Sequence, residues 1–310
     1  MKLKDRVEDG LNELRIVLLG GQVFAAFAYA SCFQSGFATL PSRVLWVQAA
    51  AITIITVTFG WLLWPPAFHQ IADVGHVTSR TSRMTTQVLD CGLFPLALAV
   101  ALCTLPVAVA LGSSHIWWPV AGTAATATLA WYAGAFSRKK PQQDSDDEGT
   151  DELEERIKLV LTECRVVLPG AQASLGFLFA DVFVDSFAKL PRSSQYIHVA
   201  SLVLVLLATI LLMMPAAYHR IATRGEPADS VHKVGSGALL AAMFFLAPGM
   251  GAELFVVLRK LTNHIGLSGA VAAAFVVLSY LLWFALSALV RFRRDSGTGS
   301  KSAPDESALS

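Results

Sequence analysis

Charge is what this sequence has least of. Only 15% of its 310 residues are Asp, Glu, Lys or Arg, while 54% are hydrophobic; soluble domains carry about a quarter charged residues. Four cysteines (Cys32, Cys91, Cys103, Cys164) form no CxxC pair and have no neighbouring histidine, which argues against a disulfide framework or a zinc site. Phosphate-binding loops, dinucleotide-binding glycine motifs, HExxH and GxSxG are all missing. No loop is long enough for a soluble catalytic domain, so the chain reads as a non-enzyme without a cofactor. The charged amino terminus, MKLKDRVEDGLNELR, lacks the apolar core of a cleavable signal.

What is present is apolar sequence in long runs. A helix needs about 20 apolar residues to cross about 30 Å of hydrocarbon. Eight runs qualify: 16–37, 44–64, 88–111, 117–136, 166–187, 196–215, 234–257 and 265–290. The expected fold is all-α and integral to a membrane, with about eight transmembrane helices.

An internal repeat organises these runs. Residues 3–75 align without a gap on 153–225 at a constant offset of 150. Identical pairs include Arg6/Arg156, Glu13/Glu163, Arg15/Arg165, Gly20/Gly170, Gln22/Gln172, Pro41/Pro191, Pro65/Pro215 and His69/His219. Shared apolar composition cannot supply matched Glu, Arg, Gln, Pro and His, so the chain is a tandem duplication. The expected units are a first four-helix repeat (1–137), a charged linker (138–152, RKKPQQDSDDEGTDE), a second repeat (153–294) and a disordered Ser/Gly-rich tail (295–310). Four spans per copy is an even number, so the two repeats are parallel.

Lys and Arg placement sets the orientation. With the amino terminus inside, inside segments hold 19 of the 24 basic residues, all but Arg43, Lys189, Arg192, Arg259 and Lys260. Both termini and the linker are then on the cytoplasmic side of the membrane. The Arg-Lys-Lys run at 138–140 directly follows a span, so it marks topology and not a nucleic-acid contact.

Polar residues at the membrane edge and within it are the candidate functional groups. Each copy begins with E-x-R-(x)4-G-x-Q (Glu13, Arg15; Glu163, Arg165), after an amphipathic stretch expected to form a short interfacial helix. Each second span ends P-x-A-[FY]-H-x-I-A, at His69 and His219. The hairpin of spans one and two brings Glu, Arg and His of one copy within reach of one another. Such a cluster could be headgroup-level ion pairs, a proton- or ion-handling group, or a lipid-headgroup site. Asp181 lies deep in the fifth run, with Asp185 and Lys189 following at four-residue spacing; copy one has Ser31 and Ser35 instead. Either the three form an outer-edge ladder, or Asp181 faces a cavity. Ala247-Pro248-Gly249-Met250-Gly251, just before Glu253, predicts a kink or break in the seventh run.

At NELRIVLLGGQVFAAF (12–27) with PPAFHQIA (65–72), and ECRVVLPGAQASLGF (163–177) with PAAYHRIA (215–222), the sequence resembles an uncharacterised domain-of-unknown-function family of small bacterial four-helix membrane proteins. Pro169 and Arg220 fit that pattern where copy one has Leu19 and Gln70, and Cys164 departs from it. The resemblance implies a four-helix membrane unit present twice, over roughly 1–136 and 153–294, and brings no catalytic or binding residue. Members sometimes carry a sodium:proton antiporter label, for which these residues give no physical basis. Two classes of function stay open: a transporter for protons or a small cation using Asp181, Glu253 and the Glu/Arg/His clusters, or a structural or regulatory protein that binds a lipid or an unknown protein partner.

The topology is testable. In a background lacking native cysteines, cysteines placed at Ser145 and at Ser113 should react with an impermeant reagent from opposite sides of the membrane. Reaction of both from one side would break the eight-span reading.

Overall fold

Leu3, Val7, Leu11, Leu14 and Leu18 recur at three- and four-residue spacing and are all buried. They make the amphipathic stretch and the first apolar run a single helix, α1 (Leu3–Ser31), and not the separate interfacial helix expected. No proline stands between them to end it. The same holds in α7 (Leu153–Asp181), where Pro169 is accommodated within the helix. At 1.5 Å per residue each is about 44 Å long.

The structure, a computed structural model, describes residues 3–112, 117–132, 153–224 and 226–299, and no strand occurs among them. The remaining helices are α2 (Ser42–Leu62), α3 (Trp64–Ala72), α4 (Ser79–Leu102), α5 (Leu105–Ala110), α6 (Trp117–Tyr132), α8 (Asp185–Ala188), α9 (Arg192–Ile221), α10 (Asp229–Thr262), α11 (Ile265–Tyr280) and α12 (Ser287–Gly299). Helix occupies all eight expected segments. Among the described residues six stretches are long and apolar enough to cross a membrane: 5–31, 42–72, 79–110, 192–221, 229–262 and 265–296. The other two are α7, which mixes apolar residues with Arg165, Pro169, Gln172 and Asp181, and α6, described over 16 residues. The linker at 138–152 and the tail beyond 299 lie outside the described residues; from 295 to 299 the chain continues α12.

The repeat is visible in the backbone. α1 and α7 share their bounds at an offset of 150, as do the starts of α2 and α9 and of α4 and α10. Val74 and Arg224, also 150 apart, both adopt a left-handed conformation (φ 54° and 55°). Where the copies diverge, proline explains it. Pro65-Pro66 divides α2 from α3, whereas the lone Pro215 is carried inside the continuous α9. Pro106 follows the break between α4 and α5.

The expected break at Pro248 does not occur: α10 runs through it for 34 residues. Proline removes one amide, which would orphan the Phe244 carbonyl four residues earlier, and the Tyr280 hydroxyl donates to that carbonyl at 2.8 Å. One turn on, Ser201 donates to the Gly249 carbonyl at 2.8 Å. The irregularity falls instead in the eighth stretch, where Leu281–Leu286 widens to a π-helix between α11 and α12. It carries Trp283, fully buried, whose indole donates to the Gly60 carbonyl at 2.7 Å.

α10 is the central helix, packed on α9, α11, α7 and α2. The copies meet along α1 and α7, with α10 laid on α2 and α12 on α3; α6 packs on α4 at the periphery. Glycine allows the closest approaches within copy two: a Cβ on Gly251 would lie 2.4 Å from Val276 Cγ2. Gly251→Leu should therefore destabilise the protein in micelles by about 1–3 kcal/mol. Gly266→Leu, in open space, should change it by less than about 0.5 kcal/mol. Thermal or denaturant unfolding followed by helical dichroism measures both.

Candidate functional site

Among the described residues two His–Glu pairs are buried in the bundle, one near the end that carries the amino terminus and one towards the other end. The first depends on how α3 stops. Pro65 and Pro66 fill its first turn, where missing amides cost nothing. After Ala72 the chain turns back through left-handed Val74 and Gly75, with the Gly75 amide on the His69 carbonyl at 3.0 Å. A side chain at Gly75 would strike His232, 2.6 Å from the Cβ position. The turn brings the His76 carbonyl to within 3.1 Å of His69 Nε2. The other ring nitrogen, Nδ1, lies 2.5 Å from Oε1 of Glu163 on α7, and Gln70 donates to Oε2 of the same carboxylate. Beside it, buried Asp73 accepts from Thr78 and Thr81 and lies 3.8 Å from Arg294, tying the end of α3 to α4 and α12.

The second pair joins α9 and α10. His198 Nε2 lies 2.9 Å from the Leu178 carbonyl, and Nδ1 lies 3.0 Å from Glu253 Oε2. Asp181, the last residue of α7, is 1% exposed, beside His198 (0%) and Glu253 (3%). The charges acting on Asp181 are Glu253, His198 and Lys260. Oδ2 of Asp181, Nδ1 of His198 and both carboxylate oxygens of Glu253 have no hydrogen-bond partner among the described residues. A cavity of about 30 Å³ opens between the copies; its wall is mostly apolar, with Gln22, Tyr29, Thr56, Ser174, Ser201 and Glu253 as the polar residues on it. The Tyr29 and Thr56 hydroxyls bond each other on its wall. At roughly 10–15 Å³ per water, it has room for about two.

The tautomers follow from these partners. A carbonyl oxygen only accepts, so Nε2 of both His69 and His198 carries a hydrogen. His69 Nδ1 is hydrogen-bonded to Glu163 Oε1, so one proton lies between them, since otherwise two lone pairs would be in contact; His198 Nδ1 and Glu253 Oε2, 3.0 Å apart, are at ion-pair distance without an aligned hydrogen bond. The His69–Glu163 pair is an imidazolium with a carboxylate, or a neutral imidazole with a carboxylic acid. Both arrangements hold one proton at a defined place inside an apolar bundle.

Several sequence expectations are corrected. The Glu/Arg/His sets do not gather within each copy: Glu163 of copy two joins His69 of copy one. Glu13, Arg15 and Arg165 are exposed and His219 is half-buried. α1 and α7 pack side by side, which places α7, and not α1, beside α3. The ladder of Asp181, Asp185 and Lys189 does not form, because α7 ends at Asp181 and the turn leaves Asp185 and Lys189 exposed. His198 was missed. Its signal is its position: Ser31/Asp181, Gln48/His198 and Cys103/Glu253 are all 150 residues apart, so one structural site holds neutral residues in copy one and the charged triad in copy two. In copy one Gln48 lies 3.9 Å from Cys32, the neighbour of Ser31.

Removing one partner of a buried charged pair strands the other, at a cost of about 3–5 kcal/mol, whereas replacing both by apolar residues is often neutral. His69→Leu should thus destabilise the protein by that amount, and His69→Leu with Glu163→Leu should recover most of it, as read from thermal unfolding in micelles.

Neither the comparison with curated proteins nor that with solved structures gives a match. A family model matches twice, over residues 2–135 and 146–287, in agreement with the tandem repeat. The chain belongs to a family of unknown function (DUF6328) and carries that family's unit in two copies.

Proposed function

We propose that the chain is a multi-pass membrane protein, without enzymatic activity, that passes protons across a bacterial inner membrane through its buried His–Glu pairs. Six long apolar helices support the membrane setting. In this reading α6 and α7 complete eight spans, α7 shielded from lipid by its neighbours, with both termini cytoplasmic. The bilayer is its solvent, and it needs no cofactor.

The observation that carries the reading is the Asp181–His198–Glu253 group. Two carboxylates and one imidazole are enclosed where an unpaired charge is costly, next to a water-sized, mostly apolar cavity that a few hydroxyls reach. His198 Nδ1 lies at ion-pair distance from Glu253 Oε2, and these atoms, with Oδ2 of Asp181 and Oε1 of Glu253, have no hydrogen-bond partner among the described residues and so are open to take up a proton. Gln22, Ser174, Ser201, Tyr29 and Thr56 supply groups able to hold relay waters towards the His69–Glu163 pair. The cavity is too small for an organic substrate. Its small size also favours a second reading, a structural or regulatory membrane protein that binds a lipid or a partner protein, in which the buried pairs only fix the packing.

Vesicles loaded with a pH-sensitive dye and driven by a potassium diffusion potential separate these. The wild type should acidify or alkalinise the lumen according to the sign of the potential. Glu253→Gln and Asp181→Asn should slow the flux by roughly 10²-fold, the lower range for loss of a positioned acid–base group, while helical dichroism is unchanged. Absence of flux in the wild type, or undiminished flux in both variants, would establish the second reading.

A further inference from the structure

The two copies meet through unlike faces. Copy one contributes Gln22, Tyr29, Phe33, Gly60 and His69. Copy two contributes Glu163, Gly170, Phe177, Ser186 and Trp283. Glu163 meets His69, Phe177 stacks on Tyr29 with ring centroids 5.4 Å apart, Ser186 donates to the Phe33 carbonyl and Trp283 to that of Gly60. A Cβ on Gly170 would lie 1.8 Å from Gln22 Cδ. Among the described residues none of these contacts has its mirror image. A two-fold interface would repeat each with the copies exchanged, pairing Glu13 with His219 and Gly20 with Gln172.

The mirror residues are instead left uncovered. Phe33 is 0% exposed and its counterpart Phe183 is 87% exposed. Phe179, Ile210 and Gln172 of copy two are exposed, as are Phe27, Glu13 and Trp131 of copy one. Gly20 has nothing within 4 Å of its Cβ position. The chain therefore displays one unused face of each kind, and each is the counterpart of a face already filled inside it. Lipid can cover the aromatic and aliphatic residues. It cannot satisfy Gln172, two turns inside the apolar run of α7, where an unpaired amide is costly.

We infer that a second copy of this chain docks head to tail, its Glu13/Gly20 face entering the Gln172/His219 face of the first, and that the assembly closes into a ring. Heterologous contacts either close or polymerise. The charges fit: Glu13 is acidic, and Arg220, exposed beside His219, stands where Gln70 donates to Glu163 within the chain. The junction between chains thus carries an ion pair where the internal one has an amide hydrogen bond.

Full-length protein in nanodiscs, free of native cysteines, tests this. Gly20→Cys with Gln172→Cys should yield covalently linked chains on mild oxidation, whereas Gln22→Cys with Gly170→Cys should link only within a chain. Native mass spectrometry should give a multiple of the chain mass. Gly20→Trp and Glu13→Arg should each reduce it to one chain without changing helical dichroism, and Glu13→Arg with Arg220→Glu should restore the assembly. A single-chain mass for the unaltered protein, or a multimer indifferent to both Gly20→Trp and Glu13→Arg, would overturn the inference.

Discussion

The packing of α1 against α7 through different faces is the contact on which the rest of the bundle depends. It sets α7 beside α3, which delivers Glu163 to His69. It allows α10 to lie on α2 and α12 on α3, enclosing the Gly60 carbonyl under Trp283. It also forms one wall of the cavity, where residues of both copies meet Glu253. In a largely apolar medium burial alone gives little drive for helix association, so close glycine approaches and interhelical hydrogen bonds from Trp, Tyr, Ser and His carry more of it.

The backbone hydrogen bonds show the same economy. At Pro248 in α10, where proline upsets the helical ladder, side-chain donors stand close by. Tyr280 takes the Phe244 carbonyl and Ser201 that of Gly249. This is the requirement that polar backbone groups find partners inside the protein when solvent offers none. It accounts for how α10 continues through Pro248 as the central helix.

Much of this was legible in the sequence because the signals are local or exactly repeated in number. The apolar runs, the offset of 150 and the matched prolines gave the helices and their duplication, and Asp181 and Glu253 stood out as acids in apolar surroundings. The partner of His69 was not legible. Helix pairing within a hairpin is the natural default, and nothing in Glu13 or Glu163 tells which of two identical motifs faces inwards. His198 escaped notice because a single histidine in an apolar run is usually unremarkable, and its meaning came only with α10 beside it. The continuity of α10 likewise depended on Tyr280, some thirty residues away from Pro248.

Duplication also has a consequence for how acidity could enter such a bundle. In an assembly of identical single units, a substitution that buries a carboxylate buries one in every unit at once, and the like charges accumulate around a common centre. Fusing two units into one chain frees their corresponding positions from each other. Ser31, Gln48 and Cys103 could stay neutral while Asp181, His198 and Glu253 took on charge. The fused gene is thus a route by which a uniform scaffold acquires polarity, with one half left as the inert frame for the other.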